Sequence, residues 1–136
     1  MKQSIITLFA ATTLITGGAY AAIPGPQAIT RTELQRHDLS IAGREMVQAR
    51  IDIAAGGVAG WHRHPGEEVI YVTEGTLEYQ LEWHAPVTLK AGEVLFVPAN
   101  VAHMARNRTA KNGAELATYI VRKGEPLLVA ANGNAS

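Results

Sequence analysis

Across residues 32–121 no stretch repeats apolar side chains at the three-and-four spacing of a helix, and that absence constrains the fold more than any other feature of the chain. In its place come short alternating or continuous apolar runs, broken by glycine, proline or asparagine about every ten residues, the cadence of strands joined by turns. Residues 76–83 show it most clearly. Leu77, Tyr79, Leu81 and Trp83 take one phase of a two-residue repeat and Glu78, Gln80 and Glu82 the other, which assigns the first set to a core and the second to water. Further strands are expected over residues 33–38, 45–53, 60–63, 68–73, 87–90, 94–97, 101–106 and 115–121, with Gly43, Gly56, Gly57, Gly75, Gly92 and Gly113 in the breaks. Many short strands with regular turns predict an all-β sandwich or barrel, and 136 residues hold one such domain rather than two.

The first 21 residues read differently. Lys2 supplies a positive start, residues 4–16 form an apolar and small run, and Ala19-Tyr20-Ala21 offers an A-x-A cleavage pattern, so residues 1–21 are expected to be a secretory signal peptide. A membrane anchor or an N-terminal core helix fits less well, because the run is shorter than the roughly 18 to 20 apolar residues of a span, carries several threonines and ends in Gly17-Gly18. Residues 22–31 hold Pro24, Gly25 and Pro26 without apolar periodicity and are expected to be a flexible lead, with the domain over residues 32–124 and a loose tail over residues 125–136. A periplasmic or secreted location follows from the signal peptide.

Charge and cysteine content narrow the partners. Of 12 basic and 12 acidic side chains only Lys2 falls within the signal peptide, so the mature chain is nearly neutral with both signs interspersed. Nucleic acid and anionic membrane, which need clustered Lys and Arg, are therefore not expected as partners. Without cysteine there is no disulfide framework, no thiolate metal site and no thiol catalysis, and any metal must be held by His, Asp or Glu.

His62 and His64 stand two apart in an expected strand, so their rings point to one face and are close enough to share an ion. Pro65-Gly66 interrupts that strand and Glu68 opens the next, adding a carboxylate after a short bend. Of the later histidines, His84 lies in the turn Trp83-His84-Ala85-Pro86, whereas His103 sits in the apolar run Val101-Ala102-His103-Met104-Ala105, where an imidazole is costly to bury without a partner. His37 and His84 read as ordinary surface or hydrogen-bonded residues.

The longer spacing runs Gly56, five residues, His62, one, His64, three, Glu68, six, Gly75, and then Gly92, five residues, Pro98, four, His103, three, Asn107. These blocks resemble the paired motifs of the cupin superfamily in its small, single-domain, exported bacterial form, over residues 32–121. One departure falls two residues after Pro98, where the family has glycine and this chain has Asn100; asparagine is the best replacement for glycine at positive φ, so the turn is expected to survive. The resemblance implies a jelly-roll β-barrel with His62, His64, Glu68 and His103 pointing inward as metal ligands, and Asn107 tying down backbone. Glu67 competes with Glu68, but the family spacing selects Glu68 and strand alternation sends Glu67 to the opposite face. Asp52 and Glu93 have no comparable claim.

Three imidazoles and a carboxylate suit a divalent transition metal, with Mn, Fe, Ni, Co, Cu and Zn all compatible. An octahedral ion so held keeps two positions for water, a chelating substrate or dioxygen, an arrangement suited to chemistry or ligand capture. Related small cupins include dioxygenases, isomerases, decarboxylases and lyases, so the resemblance implies a metal-dependent dioxygenase or related oxidoreductase acting on a small oxygen-chelating substrate. The alternatives are a metal-dependent isomerase or lyase, and a non-catalytic module that binds metal or a small ligand. Catalytic residues stay unassigned: Arg50, Tyr71, Tyr79, Gln80 and Tyr119 read as strand-surface or core positions. A homodimer is expected, through packed sheets or exchange of the strand over residues 32–39, as related small cupins assemble.

Overall fold

The alternation in the sequence becomes two facing antiparallel sheets. The computed structural model describes residues 28–132, and the segment read as a signal peptide lies outside them. Ten strands follow in order: β1 (Ile29–Asp38), β2 (Arg44–Ile53), β3 (Val58–Arg63), β4 (Gly66–Glu74), β5 (Thr76–Leu81), β6 (Val87–Lys90), β7 (Val94–Val97), β8 (His103–Arg106), β9 (Gly113–Arg122) and β10 (Val129–Ala130). One sheet has the order β1-β2-β9-β4-β7 and the other β10-β3-β8-β5-β6. Apart from the β1–β2 and β5–β6 pairs, strands adjacent in sequence alternate between the sheets, which wraps the chain into a jelly-roll barrel of one domain.

The core lies between the sheets, on the inward phase of each strand. Val47, Ala49, Ile51 and Ile53 of β2, Ile70 and Val72 of β4, and Ala117, Tyr119 and Val121 of β9 form the inner face of one sheet, against Leu77 and Tyr79 of β5, Leu89 of β6 and Ala105 of β8 on the other. Close approach of β4 to β9 depends on Gly66, opposite Val121: a Cβ there would meet the Ile120 carbonyl and stand 2.7 Å from Val121 Cα. Asn100 has φ 62°, so asparagine serves the turn where the family has glycine.

Three boundaries differ from the sequence reading. Strand β1 starts at Ile29, inside the expected flexible lead of residues 22–31, because Ile29 pairs with Ile53 and the Ala54 N–H donates to the Ala28 carbonyl at 2.9 Å. The tail of residues 125–136 is not loose at β10, where Val129 and Ala130 pair with Arg63 and His62 and cover an edge of β3 that would otherwise leave backbone groups unpaired. The alternation of residues 76–83 stops at Leu81: the His84 N–H bonds to the Leu81 carbonyl at 3.1 Å, and Trp83, at φ 64°, is 66% exposed rather than in the core.

Candidate metal centre

The four residues singled out by spacing come from both sheets and meet between them. His62, next to last in β3, stands directly opposite His103 at the start of β8. A bulge between Ala59 and His62 shifts the register of β3, so both Ala59 and His62 turn inward although they are three residues apart. His64 lies just beyond the strand on the same side as His62. Glu68 enters from the other sheet, on β4, opposite Val97 of β7 and Tyr119 of β9. Its neighbour Glu67 pairs with Ile120, whose side chain is exposed, so alternation separates the two carboxylates as expected.

The ring centroids of His62 and His103 are 4.3 Å apart, those of His62 and His64 5.0 Å, and those of His64 and His103 5.2 Å. One nitrogen from each of the three rings lies within 4.8 Å of the others, close enough to hold one ion. Each Nδ1 faces a backbone carbonyl: His62 that of Gly60 at 2.6 Å, His64 that of Leu127 at 2.6 Å, and His103 that of Val101 at 3.1 Å. A carbonyl only accepts, so every Nδ1 carries a proton and, in the neutral ring, Nε2 keeps a free lone pair. This is the tautomer and the outer hydrogen bonding that a metal-ligating histidine requires.

Glu68 Oε2 lies 3.4 Å from His64 Nε2 and 3.0 Å from His103 Nε2. Neutral rings protonated on Nδ1 have nothing to donate to it, and both Oε2 and His64 Nε2 are buried with no hydrogen-bond partner. Orphaned polar atoms at this depth are expensive, and a cation between them satisfies both. The donor set thus fits a divalent ion. Charge within the cluster is also strained: burial lowers His62 to about 4. For His103 burial acts in the same direction, but the adjacent Glu68 outweighs it and the pKa is raised. Burial opposes ionisation of Glu68, yet the two imidazoles hold its carboxyl below the usual range.

The cluster forms one wall of a cavity of about 400 Å³, whose remaining lining is mostly apolar and includes Ile29, Ile51, Ile53, Val58 and Leu128. Two polar groups there escaped the sequence reading. Glu115 of β9 is 5% exposed and accepts a hydrogen bond from the Tyr79 hydroxyl. Burial first, and the charge of Glu68 second, push its carboxyl up to about 8, so it keeps its proton at neutral pH. The signal was present in the sequence, since Glu115 shares its two-residue phase with Ala117, Tyr119 and Val121 and a carboxylate on a core-facing phase needs a reason. The other group is Arg31, whose Nη1 donates to the Tyr119 hydroxyl at 3.3 Å. Tyr79 and Tyr119, read from sequence as bland, both line the cavity, whereas Arg50 is held by Asp52 and Glu74, and Tyr71 is exposed.

Comparison with known proteins follows the same line. A family model described as "Cupin domain" matches residues 49–120, more than half of the chain. No curated protein matches it in sequence. Among solved structures, a cupin superfamily protein from Desulfitobacterium hafniense is similar with a TM-score of 0.60 at 15% identity, over 73% of this chain and 84% of the other. A DMSP lyase from Ruegeria pomeroyi is similar with a TM-score of 0.58 at 23% identity, over 67% of this chain and 45% of the lyase. An oxalate oxidase is similar with a TM-score of 0.62 at 22% identity, over 78% of this chain and 56% of the oxidase. The last two are thus matched over about half of their length. At such identities the likeness is one of fold.

Proposed function

The chain belongs to the cupin domain family, and from that premise we propose that it is an exported metal-dependent enzyme whose ion is held by His62, His64, Glu68 and His103, and which acts as a dioxygenase or related oxidoreductase on a small oxygen-chelating substrate. The observation that carries the metal centre is the common orientation of the three imidazoles, each with Nδ1 tied to a carbonyl, with the Nε2 atoms of His64 and His103 beside the buried, unpartnered Glu68 Oε2. An ion of the Mn, Fe, Co, Ni, Cu or Zn class supplies Lewis acidity or redox capacity at that wall. The chain's own residues supply the rest: a mostly apolar cavity of about 400 Å³, a size suited to a small ligand. The segment over residues 1–21 supports a periplasmic or secreted location.

A second reading, an isomerase or lyase, is favoured by the buried Tyr79–Glu115 pair, which presents a protonated carboxyl to the cavity and suits chemistry that moves a proton. The solved structures of similar fold include both an oxidase and a lyase, so the fold accommodates either.

Elemental analysis of the purified mature chain and of His62→Ala and His103→Ala tests the centre. The expected result is near-stoichiometric metal in the parent and binding weakened at least about tenfold in either variant, both still folded. Equal metal in all three removes the four-residue centre. Oxygen uptake with a flavonol, a diketone or a catechol that disappears in His103→Ala supports the oxidoreductase. Full metal with no uptake favours the isomerase or lyase reading, and full metal with unaltered substrate of any kind points to a binding module.

A further inference from the structure

Among the described residues Arg31 is the only arginine or lysine lining the cavity. Strand alternation puts it there: β1 pairs with β2 so that Arg31 stands opposite the core residue Ile51, and Ile29 opposite Ile53, which places both β1 residues on the inward phase. Arginines 36, 50, 106, 108 and 122 each sit within ion-pair distance of a carboxylate. Arg31 makes no such pair among the described residues. Its guanidinium instead rests 5.0 Å from the centroid of the Tyr119 ring and donates to the neutral Tyr119 hydroxyl. Tyr119 in turn stands opposite Glu68 in the register of β4 and β9, with its ring 4.7 Å from that of His64. Arg31 and the histidine cluster are thus linked through one aromatic side chain, across a space whose other walls are mostly hydrocarbon.

A guanidinium in such a place has unused donors in a planar fork, and the partner that fits the fork is a carboxylate. The charges of the lining favour an anion as well. Glu68 is engaged at the cluster and Glu115 stays protonated, which leaves Arg31 as a cavity charge without an ion-pair partner among the described residues. We infer that Arg31, positioned by the Tyr119 ring, anchors the carboxylate of a small substrate whose apolar body fills the cavity and whose other oxygens reach the histidine cluster. The substrate class is an aromatic or branched aliphatic carboxylic acid rather than a neutral chelator. A phosphate monoester fits less well, because its dianion needs more donors than one guanidinium and one hydroxyl provide. The inference rests on the proposed metal centre only for the far end of the substrate.

Calorimetric titration with phenylacetate, phenylacetamide and phenyl phosphate tests it, on the parent and on Arg31→Gln and Arg31→Lys, each with metal bound and after chelation. The expected result is that phenylacetate binds the parent more tightly than the amide or the phosphate ester, that Arg31→Gln loses about ten- to a hundredfold in phenylacetate affinity with the amide unchanged, and that Arg31→Lys recovers part of the loss. Arg31 is exposed and touches no ligand residue, so thermal melting and metal content should match the parent in both variants. Phenylacetate affinity that survives Arg31→Gln but vanishes on chelation places the carboxylate on the metal and overturns the subsite. Tighter binding of phenyl phosphate overturns the substrate class. A parent that holds no metal, yet prefers phenylacetate in an Arg31-dependent way, removes the metal centre and leaves the subsite standing.

Discussion

Three backbone carbonyls, those of Gly60, Val101 and Leu127, decide the chemistry of the histidine cluster by fixing where each ring keeps its proton. The remaining nitrogens are the free ones, with those of His64 and His103 beside Glu68, so protons and a metal ion compete for the same lone pairs. The raised pKa of His103 and the lowered pKa of His62 act in opposite directions. In the metal-free protein His103 contributes stability that is complete below the unfolded imidazole value near 6.5 and lost as pH rises through its folded value. His62 does the reverse, withdrawing stability as pH falls from 6.5 toward about 4. Glu68, held below its ordinary range, adds stability above its unfolded value of 4.5 that is lost as pH falls through the folded one. A metal ion displaces the His103 proton. Titration of the metal in buffers of different ionisation enthalpy near pH 6.5 should therefore show release of about one proton per ion, with affinity falling as pH drops to about 5.5. A proton count of zero and a flat affinity across that range would remove His103 from the ligand set.

Elements carry the cluster into place through features that are small on the scale of a strand. The β3 bulge turns His62 inward, Gly66 lets β4 lie against β9 so that Glu68 points across the barrel, and β10 supplies the segment whose Leu127 carbonyl orients His64. Asn107, at the end of β8, joins several of these pieces. Its amide donates to the Ile53 carbonyl at 2.8 Å and to the Lys111 carbonyl at 2.7 Å, and its oxygen accepts from the Thr109 N–H at 2.9 Å and the Thr109 hydroxyl at 2.8 Å. The Asn107 backbone also exchanges hydrogen bonds with Gly56 and Gly57, so the β2–β3 and β8–β9 loops are tied together at one residue. Asn107→Ala removes the side-chain donor to the buried Ile53 carbonyl and the acceptor for Thr109, and should lower the unfolding free energy by about 2–3 kcal/mol, read as a lower urea midpoint with an unchanged slope. A midpoint equal to that of the parent would mean the loops hold themselves.

At the scale of the whole molecule, one outer sheet face stays apolar. Val69 stands opposite Phe96 and Tyr71 opposite Val94 across β4 and β7, with Ile120 on the adjoining β9, and all five side chains are at least 37% exposed. A contiguous patch of that kind on a sheet marks an interaction surface. A second copy of the chain, packed sheet to sheet, is the partner proposed for it, consistent with a nearly neutral mature chain whose two copies do not repel. Light scattering should give a dimer for the parent and a monomer for Phe96→Glu, with unchanged metal content. A parent that is monomeric at high micromolar concentration would leave the patch to another partner.

What the amino-acid sequence determined by itself is local. Two-residue alternation specified most strands, because a strand's inward phase is set by its own residues, and it put His62 and His64 on one face, because two-apart positions share a face whatever the rest of the chain does; Glu68 and His103 joined them only through the resemblance to the cupin motifs. Asn100 and Asn107 were legible from the same motifs. The tertiary structure decided everything that depends on register between distant strands. It placed Arg31 of β1 against Tyr119 of β9, Tyr79 of β5 against Glu115 of β9, and the tail against β3, while it ended the inward phase of β5 before Trp83. Those pairings span up to 88 residues along the chain. They are selected by which strand lies beside or across from which, a choice made by packing the two sheets and not by the pattern of any one segment.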